Sequence, residues 1–257
     1  MITVKKNAPS GTIILDRPRQ CNAISLEMLR QLRDAFSDLH QEKTVRSVIL
    51  SASGSAFCAV VDLKEWQETS TTPSAEEQWH EYVEELQALV DTMLRFPKPI
   101  IAAVDGAAMG AGFTLVLACD LVVASQRATF SLPSPKRGLV SGLAVPLLTF
   151  RLGGSMASRL LLGLETIDID VAHRVGLVHH VVGPEQIWVR SHQWAQDLAE
   201  SSHESMQLTK RLLNEMVGES VTMLLASGAS ATATACTTDN AKEGLQAFVE
   251  KRPPRWK

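Results

Sequence analysis

The stretch KPIIAAVDGAAMGAGFTLVLACDLVVAS, residues 98–125, is the longest apolar run of the chain and carries three glycines. Its composition predicts a buried strand over Pro99 to Val104 and a second over Leu121 to Ala124. Between them, the glycines from Gly110 to Gly112 allow close backbone approach before a buried helix over Phe113 to Ala118. A helix start made of small residues presents bare N–H groups and the positive end of the helix dipole. The stretch therefore predicts a place where a developing negative charge is held.

A membrane span and a dinucleotide-binding turn are the alternatives for this stretch, and its residues disfavour both. A span needs about 20 apolar residues, whereas Asp105 and Asp120 interrupt the run. The turn from Gly110 to Gly112 has no third glycine, and no acidic residue follows about 20 positions later to bind a ribose. We expect neither a membrane partner nor a nucleotide fold.

Length and composition bound the class of protein. A chain of 257 residues, 45% of them hydrophobic, suits one large body. The formal charge of -3 with interspersed signs gives no broad basic face, so nucleic acid is not an expected partner. Residues 1–10 carry no apolar segment typical of a signal peptide. The four cysteines are Cys21, Cys58, Cys119 and Cys236, and they have unrelated spacings and no histidine cluster nearby. We therefore expect no metal site, and we expect reduced core thiols in a cytoplasmic protein.

The first half of the chain alternates strands and helices. Two short strands form an opening hairpin, Ser25 caps a helix with apolar residues three and four apart, and a later helix carries a continuous apolar stripe. The predicted ranges are strands 2–6 and 12–15, a helix from Ser25 to Leu39, a strand 45–51, a loop 52–61 and a helix 73–96.

The second half is predicted to be mostly helical. A loop spans 129–142, followed by a helix 143–162 that is broken at Gly153 and Gly154. The remaining predicted ranges are a helix 167–174, a strand 177–182 and helices 184–200, 205–217, 219–235 and 239–250. Strands early and helices late predict a ββα-rich body with a helical tail.

Four ordered motifs give the chain a resemblance to the crotonase superfamily, the enoyl-CoA hydratase and isomerase group. They are LDRPRQCNAIS at 15–25, AFCAVVDLKE at 56–65, KPIIAAVDGAAMGAGFTLVLACD at 98–120 and AHRVGLVHHVV at 172–182. The resemblance continues to EGLQAFVEKRPPRW at 243–256 and so covers essentially the whole chain. It implies an α/β fold, the crotonase (ClpP/crotonase-like) spiral of ββα repeats. The implied division is a spiral core with the coenzyme A and acyl site over 1–200 and a C-terminal helical trimerisation region over 201–257, assembled as a homotrimer or hexamer.

The resemblance also implies a shared chemistry, in which two backbone N–H groups stabilise a thioester enolate. By motif match these donors fall on Val61 and Ala111. Preformed donors aimed at a developing oxyanion are typically worth ~10²- to 10³-fold in rate. Two residues depart from the family pattern, because Val60 and Ala111 stand where glycines are usual. A β-branched residue is costly if the loop needs a positive φ.

The proton-transferring groups depart further from the family pattern. Hydratases of the group use two glutamates, and the matching positions here are Thr114 and Ser134. Hydroxyls do not ionise near neutral pH, and a missing general acid or base typically costs ~10²- to 10⁴-fold. Other carboxylates are available. We interpret the glutamates of the helix 73–96, which are Glu81, Glu84 and Glu85, as its solvated face. We interpret Asp62 and Glu65 as loop or capping residues.

The resemblance also implies which residues bind coenzyme A, and these lie in an early loop, in a second loop and in the tail. The residues are Arg19, Gln20, Cys21, Ala59 and Lys64, with Phe248 and Lys251 contributed by a neighbouring subunit. Arg19 and Lys64 supply the positive charge that phosphates need. A smooth face for trimer packing is predicted at Leu224, Leu225, Ala229 and Ala233.

The leading hypothesis is an acyl-CoA enzyme of the enoyl-CoA hydratase and isomerase type, a lyase or isomerase of fatty acid metabolism. It uses a coenzyme A thioester as substrate and has no permanently bound cofactor. Two alternatives stay open. The missing carboxylates favour a reaction that needs only enolate stabilisation, such as decarboxylation of a malonyl-type thioester. The altered residues at Val60 and Ala111 favour a catalytically inactive acyl-CoA-binding or structural subunit.

Overall fold

A computed structural model describes residues 1–70 and 72–256, without the side chains of residues 215–220. The strands in these residues are β1 (Ile2–Asn7), β2 (Ser10–Leu15), β3 (Ser47–Ala52), β4 (Ala56–Cys58), β5 (Ile100–Val104), β6 (Ala107–Met109), β7 (Leu121–Ser125), β8 (Thr129–Ser131), β9 (Thr166–Ile167) and β10 (His180–Val182). The helices are α1 (Leu26–Gln41), α2 (Leu63–Thr69), α3 (Ala75–Arg95), α4 (Ala111–Ala118), α5 (Ala144–Leu161), α6 (Ile169–Arg174), α7 (Ile187–Ala199), α8 (His203–Cys236) and α9 (Asp239–Val249). Short 3-10 turns lie at Pro18–Gln20, Ser134–Arg137 and Pro184–Gln186.

The strands build two sheets, with orders β1-β2-β3-β5-β7-β10 and β4-β6-β8-β9. In the larger sheet β2, β3, β5, β7 and β10 are parallel, and in the smaller one β4, β6 and β8 are parallel. The strands β3, β5 and β7 are each followed by a strand of the smaller sheet and then by a helix. Each repeat therefore places one strand in each sheet, which is the predicted spiral of ββα repeats.

The strongest local predictions are confirmed. The side chain of Ser25 accepts a hydrogen bond from the N–H of Met28 and so caps α1. The apolar stripe of α3 is buried along its length. The break predicted in α5 is present, because Gly153 has φ 79 inside that helix. These features are local in origin, and residue type alone determines them.

Two predictions of local structure are wrong. The predicted loop 52–61 contains β4, which is only three residues long and forms by pairing with the distant strand β6. The predicted helices 205–217 and 219–235 are the single helix α8. Helix α8 packs along α3 and α5, and that tertiary packing outweighs the weak helix propensity that predicted a break.

The predicted trimer face is also wrong. Leu225, Ala229 and Ala233 of α8 are buried within their own chain, and Leu225 and Ala229 belong to its main hydrophobic core. Of the four predicted residues only Leu224 is exposed, at 47%. The helix therefore directs its small residues inward, and among its described side chains the exposed apolar ones are Leu208, Leu212, Leu213, Met223 and Leu224.

A partly buried ion pair joins α8 to the larger sheet. The carboxylate of Asp120 accepts hydrogen bonds from the N–H of Ile100 and from Nζ of Lys210 of α8, both at 2.7 Å. Asp120 therefore has a structural role. The main hydrophobic core includes α8 and α9 residues as well as spiral residues, so the helical tail shares its core with the spiral.

The cysteines divide into two groups. Burial raises the pKa of the Cys58 and Cys119 thiols above its ordinary range, and that of Cys236 to about 12. These three are inert core thiols, as predicted. The prediction of a core thiol is wrong for Cys21, which is exposed at the end of the first 3-10 turn with φ 49. In the part of the chain that the structure describes, no helix has the length and apolarity to cross a membrane.

Candidate active site

A cavity of about 50 Å³ lies where α4 begins, between the repeats that carry β4 and β6. Helices α2 and α3 close one side with apolar side chains, and the segment before α5 closes the other. The residues around it are Val61, Trp66, Tyr82, Val83, Leu86, Gly110, Ala111, Thr114, Ser134, Leu139, Val140, Ser141, Gly142, Leu143 and Thr232. All four predicted catalytic positions, Val61, Ala111, Thr114 and Ser134, are therefore brought to one cavity.

Two residues from different parts of the chain, Val61 and Ala111, line this cavity with backbone N–H groups that have no acceptor in the described chain. Ala111 is the first residue of α4, and Val61 lies where Ile24 donates to the Val60 carbonyl and accepts from the Asp62 N–H. The two hydrogen bonds of Ile24 go to the residues on either side of Val61 and leave the N–H of Val61 unbonded. Across residues 1–70 and 72–256, neither the N–H of Val61 nor that of Ala111 has a hydrogen-bond acceptor. Such donors suit an oxygen that gains negative charge.

The glycine replacements leave the two loops unstrained. The backbone of Gly110 has φ 51 and ψ -119, a conformation that favours glycine, and this position keeps its glycine. Val60 is not among the residues with positive φ in the described chain. A Cβ placed on Gly110 would lie 3.0 Å from the side chain of Val60, so the two loops are in contact there. The condition under which Val60 would be costly is not met.

The hydroxyls at the two predicted glutamate positions are held by neighbours. Oγ1 of Thr114 donates to the carbonyl oxygen of Gly110 at 3.1 Å, and Thr114 is buried. Oγ of Ser134 and Oγ of Ser141 share a hydrogen bond of 2.7 Å. Among the described residues, no Asp, Glu, His, Lys or Arg side chain lines the cavity. The cavity walls therefore offer hydroxyls but no carboxylate for proton transfer.

The glutamates of α3 point away from the cavity, as interpreted from the sequence. Glu81 pairs with Arg30 of α1 at 2.5 Å, and Glu85 pairs with Arg33 at 2.6 Å. Glu84 is exposed. The cavity instead receives the opposite face of α3: Tyr82, Val83 and Leu86.

The early loop is held in place by Asn22 and Arg17, which sequence reasoning did not single out, and by Asp62, which was predicted as a loop or capping residue. The side chain of Asn22 is buried and donates to the carbonyl oxygens of Ser53 and Ala56. Arg17 donates to Asp62 at 3.0 Å, and Asp62 also caps α2. These contacts link the loop before α1 to the loop that carries Val61. The only sequence pattern that indicates them is the presence of the two motifs at 15–25 and 56–65.

The predicted coenzyme A residues lie around this linked pair of loops. The N–H of Ala59 donates to the carbonyl oxygen of Cys21 at 2.9 Å. The side chains of Arg19 and Lys64 are exposed, and neither has an ion-pair partner within residues 1–70 and 72–256. Gln20 is exposed next to them. The structure thus places one exposed cation on the early loop and another at the start of α2.

The predicted tail residues lie at the end of α9, which packs against its own chain. Helix α9 contacts α2 and the 3-10 turn Ser134–Arg137. The guanidinium of Arg137 lies 5.0 Å from the centre of the Phe248 ring, and Lys251 is exposed. A contribution of Phe248 and Lys251 to a neighbouring subunit stays a prediction.

Three further cavity residues were missed by sequence reasoning: Trp66, Ser141 and Thr232. Trp66 lies one turn into α2, and Thr232 comes from α8, far along the chain. The N–H of Gly142 donates to Oγ1 of Thr232, and a Cβ on Gly142 would come within 1.9 Å of the Gly228 carbonyl oxygen. This close approach of two backbones positions Ser141, and no local pattern signals it.

The family model for enoyl-CoA hydratase/isomerase matches residues 6–257. A putative enoyl-CoA hydratase of Thermus thermophilus is 34% identical over 256 residues, covering 100% of both chains. The human mitochondrial methylglutaconyl-CoA hydratase is 32% identical, over 96% of this chain and 74% of its own. The crystal structure of a putative enoyl-CoA hydratase from Mycobacterium avium paratuberculosis K-10 superimposes with a TM-score of 0.88 at 28% identity, covering 100% of this chain and 99% of that one.

The spiral of ββα repeats with a helical C-terminal region is therefore the crotonase fold. The chain belongs to the enoyl-CoA hydratase/isomerase family.

Proposed function

We propose that the protein binds coenzyme A thioesters and processes their acyl group through an enolate held by the N–H groups of Val61 and Ala111. The observation that carries this proposal is the pair of acceptor-free N–H groups from two loops at one cavity. Donors already in place cost no reorganisation when charge develops on the thioester oxygen. Membership of the family supports the substrate class, and no permanently bound cofactor is part of the proposal.

Hydration of a 2-enoyl thioester is the first candidate reaction, because several relatives are named as hydratases. Water must then lose a proton and C2 of the substrate must gain one. The hydroxyl proton of Thr114 is already donated to the Gly110 carbonyl oxygen, and the Ser134 hydroxyl does not ionise near neutral pH. We therefore expect hydration by this protein to be slow.

Decarboxylation of a malonyl-type thioester is the second candidate, favoured by the neutral cavity. No cation among the described residues faces the cavity to stabilise a substrate carboxylate. Loss of carbon dioxide leaves an enolate, which the two N–H groups can stabilise. A panel of acyl-CoA substrates assayed for hydration, isomerisation, decarboxylation and thioester hydrolysis decides between these reactions, and binding without turnover identifies an inactive acyl-CoA-binding subunit.

Binding of coenzyme A thioesters is expected to depend on Arg19 and Lys64. Replacing both with glutamine removes two exposed, unpaired cations, and exposed charge interactions of up to ~1 kcal/mol each imply binding weaker by up to about thirtyfold. Calorimetry with crotonyl-CoA measures the change, which should shrink as salt is raised. Lys43→Gln, at another exposed lysine, is the matched control and should bind normally. Absence of binding by the unmodified protein at millimolar crotonyl-CoA would refute the proposal.

Self-association as a trimer or hexamer is proposed to use the exposed apolar side chains of α8. At 100° per residue, Leu208, Leu212 and Met223 fall within about 60° of the helix circumference. Burying this strip in an interface removes apolar surface from water. Sedimentation should give a trimer or larger for the unmodified protein, and Leu212→Glu should shift it to monomer. Val189→Glu, at an exposed valine of α7, should leave the mass unchanged. A stable monomer at micromolar concentration contradicts the proposal.

A cytoplasmic location and a role in fatty acid metabolism are proposed from the family and the composition. The free cysteines agree with a reducing compartment.

A further inference from the structure

The segment 23–26, which ends at the start of α1, supports the loop that carries Val61. Ile24 donates its N–H to the Val60 carbonyl oxygen at 2.9 Å and accepts from the Asp62 N–H at 2.8 Å, so Ile24 and Val61 form a parallel bridge. Along an extended chain, successive N–H groups point to opposite sides. Because Asp62 turns its N–H toward Ile24, Val61 turns its own N–H away from the segment. The position of Ile24 therefore sets the direction of one proposed enolate donor.

Tyr82 of α3 holds the same segment from a different part of the chain. Its hydroxyl donates to the Ile24 carbonyl oxygen at 2.9 Å, and this is the oxygen that also accepts from the Asp62 N–H. Arg17 and Glu65 hold the segment as well, but both belong to the two motifs whose loops these contacts join. Tyr82 thus connects α3 to the backbone that orients Val61.

The surroundings of Tyr82 fix both its ring and its proton. The residue is 3% exposed, and its ring packs edge-on against Trp66 with centroids 5.2 Å apart. Burial raises the pKa of Tyr82 well above its ordinary value, so its hydroxyl stays protonated and remains a donor to Ile24. The side chain also lines the cavity. One residue therefore contributes to the cavity wall and to the support of the Val61 loop.

The two proposed donors are held in different ways. Ala111 is the first residue of α4, and an N–H at that position has no partner within its helix. The direction of the Val61 N–H depends instead on a tertiary contact, since it follows from the bridge to Ile24 and from the hydroxyl that holds Ile24. Loss of the Tyr82 hydroxyl should therefore affect Val61 and spare Ala111.

We propose that Tyr82 is a positioning residue for the Val61 N–H, because its hydroxyl fixes Ile24 and Ile24 fixes the direction of that donor. The inference rests on the proposed function, in which the Val61 N–H stabilises the enolate oxygen. It gives α3 a part in catalysis that none of the sequence motifs indicates, since Tyr82 lies outside all of them.

Infrared spectroscopy of bound acetyl-CoA, labelled with ¹³C at the thioester carbonyl, tests this role without requiring turnover. Hydrogen bonds weaken a carbonyl bond, so the unmodified protein should lower the stretching frequency of the bound carbonyl relative to free acetyl-CoA. Tyr82→Phe keeps the ring and removes only the hydroxyl, and it should reduce this lowering while the Kd for acetyl-CoA changes little. The frequency belongs to the bound ligand, so a partial loss of folded protein lowers the signal and leaves its position intact.

Steady-state kinetics on the fastest thioester of the acyl-CoA panel gives a second readout. In Tyr82→Phe, kcat should fall about tenfold, less than the ~10²-fold typical of a 1 Å misplacement, because Ile24 keeps its other hydrogen bonds. KM should stay nearly unchanged, since the donor acts on charge that develops in the transition state.

Trp79→Phe is the matched control on the same helix. Trp79 is buried, its Nε1 has no partner among the described residues, and it does not line the cavity. The variant should keep both the carbonyl frequency and kcat. An unchanged frequency and kcat in Tyr82→Phe overturn the positioning role and leave the proposed function standing. A bound carbonyl with the frequency of free acetyl-CoA in the unmodified protein, or no binding at all, overturns the proposed function and the role of Tyr82 with it.

Discussion

Replacing Ala111 with proline is expected to lower kcat about 10²- to 10³-fold on whichever thioester the protein turns over fastest. Proline has no backbone N–H, so the substitution removes one of the two proposed enolate donors and leaves Val61 in place. The loss should appear in kcat and kcat/KM together, because the donor acts on charge that exists only in the transition state. Steady-state kinetics on the best substrate of the acyl-CoA panel measures it.

The backbone at this position can accept proline. Ala111 is the first residue of α4, where proline is tolerated because its missing N–H has no partner within the helix. The residue before a proline must avoid the helical region, and Gly110 has φ 51 and ψ -119. That conformation is the mirror image of the extended region, which glycine adopts without penalty. The substitution therefore removes a donor with little change of chain path.

A proline at another helix start separates chemistry from folding. His203 is the first residue of α8, and Ser202 caps that helix. His203→Pro should leave kcat unchanged, and both variants should melt within a few degrees of the unmodified protein. Unchanged kcat in a folded Ala111→Pro protein would exclude the N–H of Ala111 from the reaction.

The fold could be predicted from the sequence because its main signals are local. The stripe of α3, the cap at Ser25 and the glycine turn before α4 each follow from residue type and spacing. The four motifs extended the prediction from single elements to the whole spiral, because their order along the chain indicated the order of the ββα repeats. Helix α8 was divided wrongly because its continuity depends on packing against α3 and α5, which no local pattern shows.

The candidate site could be predicted only where a motif carried it. Val61 and Ala111 came from the motif match, and the structure brings them to one cavity. Trp66 was missed because a tryptophan on an apolar helix face is usually a core residue, as Trp79 is. Ser141 and Thr232 were missed because a contact between Gly142 and α8, across 90 positions of sequence, brings them to the cavity. Such long-range contacts depend on the assembled tertiary structure.

The Thr114→Glu/Ser134→Glu double variant is expected to hydrate crotonyl-CoA about 10²- to 10⁴-fold faster than the unmodified protein. Both positions line the cavity that holds the two proposed enolate donors. A carboxylate at one position can take a proton from water, and a carboxyl group at the other can deliver one to C2. Each single variant should gain less than the double, because the two groups act on one transition state and their effects need not add.

The substitutions have a structural cost that the experiment must separate from the chemistry. Thr114 is 3% exposed, so a glutamate there loses hydration, and its pKa rises. The change at Ser134 also breaks the hydrogen bond to Ser141. Thr114→Gln/Ser134→Gln has the same shape and the same lost hydroxyls but cannot ionise, so it is the matched control. It should stay as slow as the unmodified protein.

The pH dependence gives this prediction a second readout. Two carboxyl groups in one neutral cavity raise each other's pKa, so one should remain protonated while the other ionises. Hydration by the double variant should therefore follow a bell-shaped pH profile, and the unmodified protein should show no such profile. If the unmodified protein already hydrates crotonyl-CoA at the typical enzyme rate of ~10 s⁻¹, a group outside positions 114 and 134 supplies the protons. The inference drawn from the two hydroxyls is then wrong.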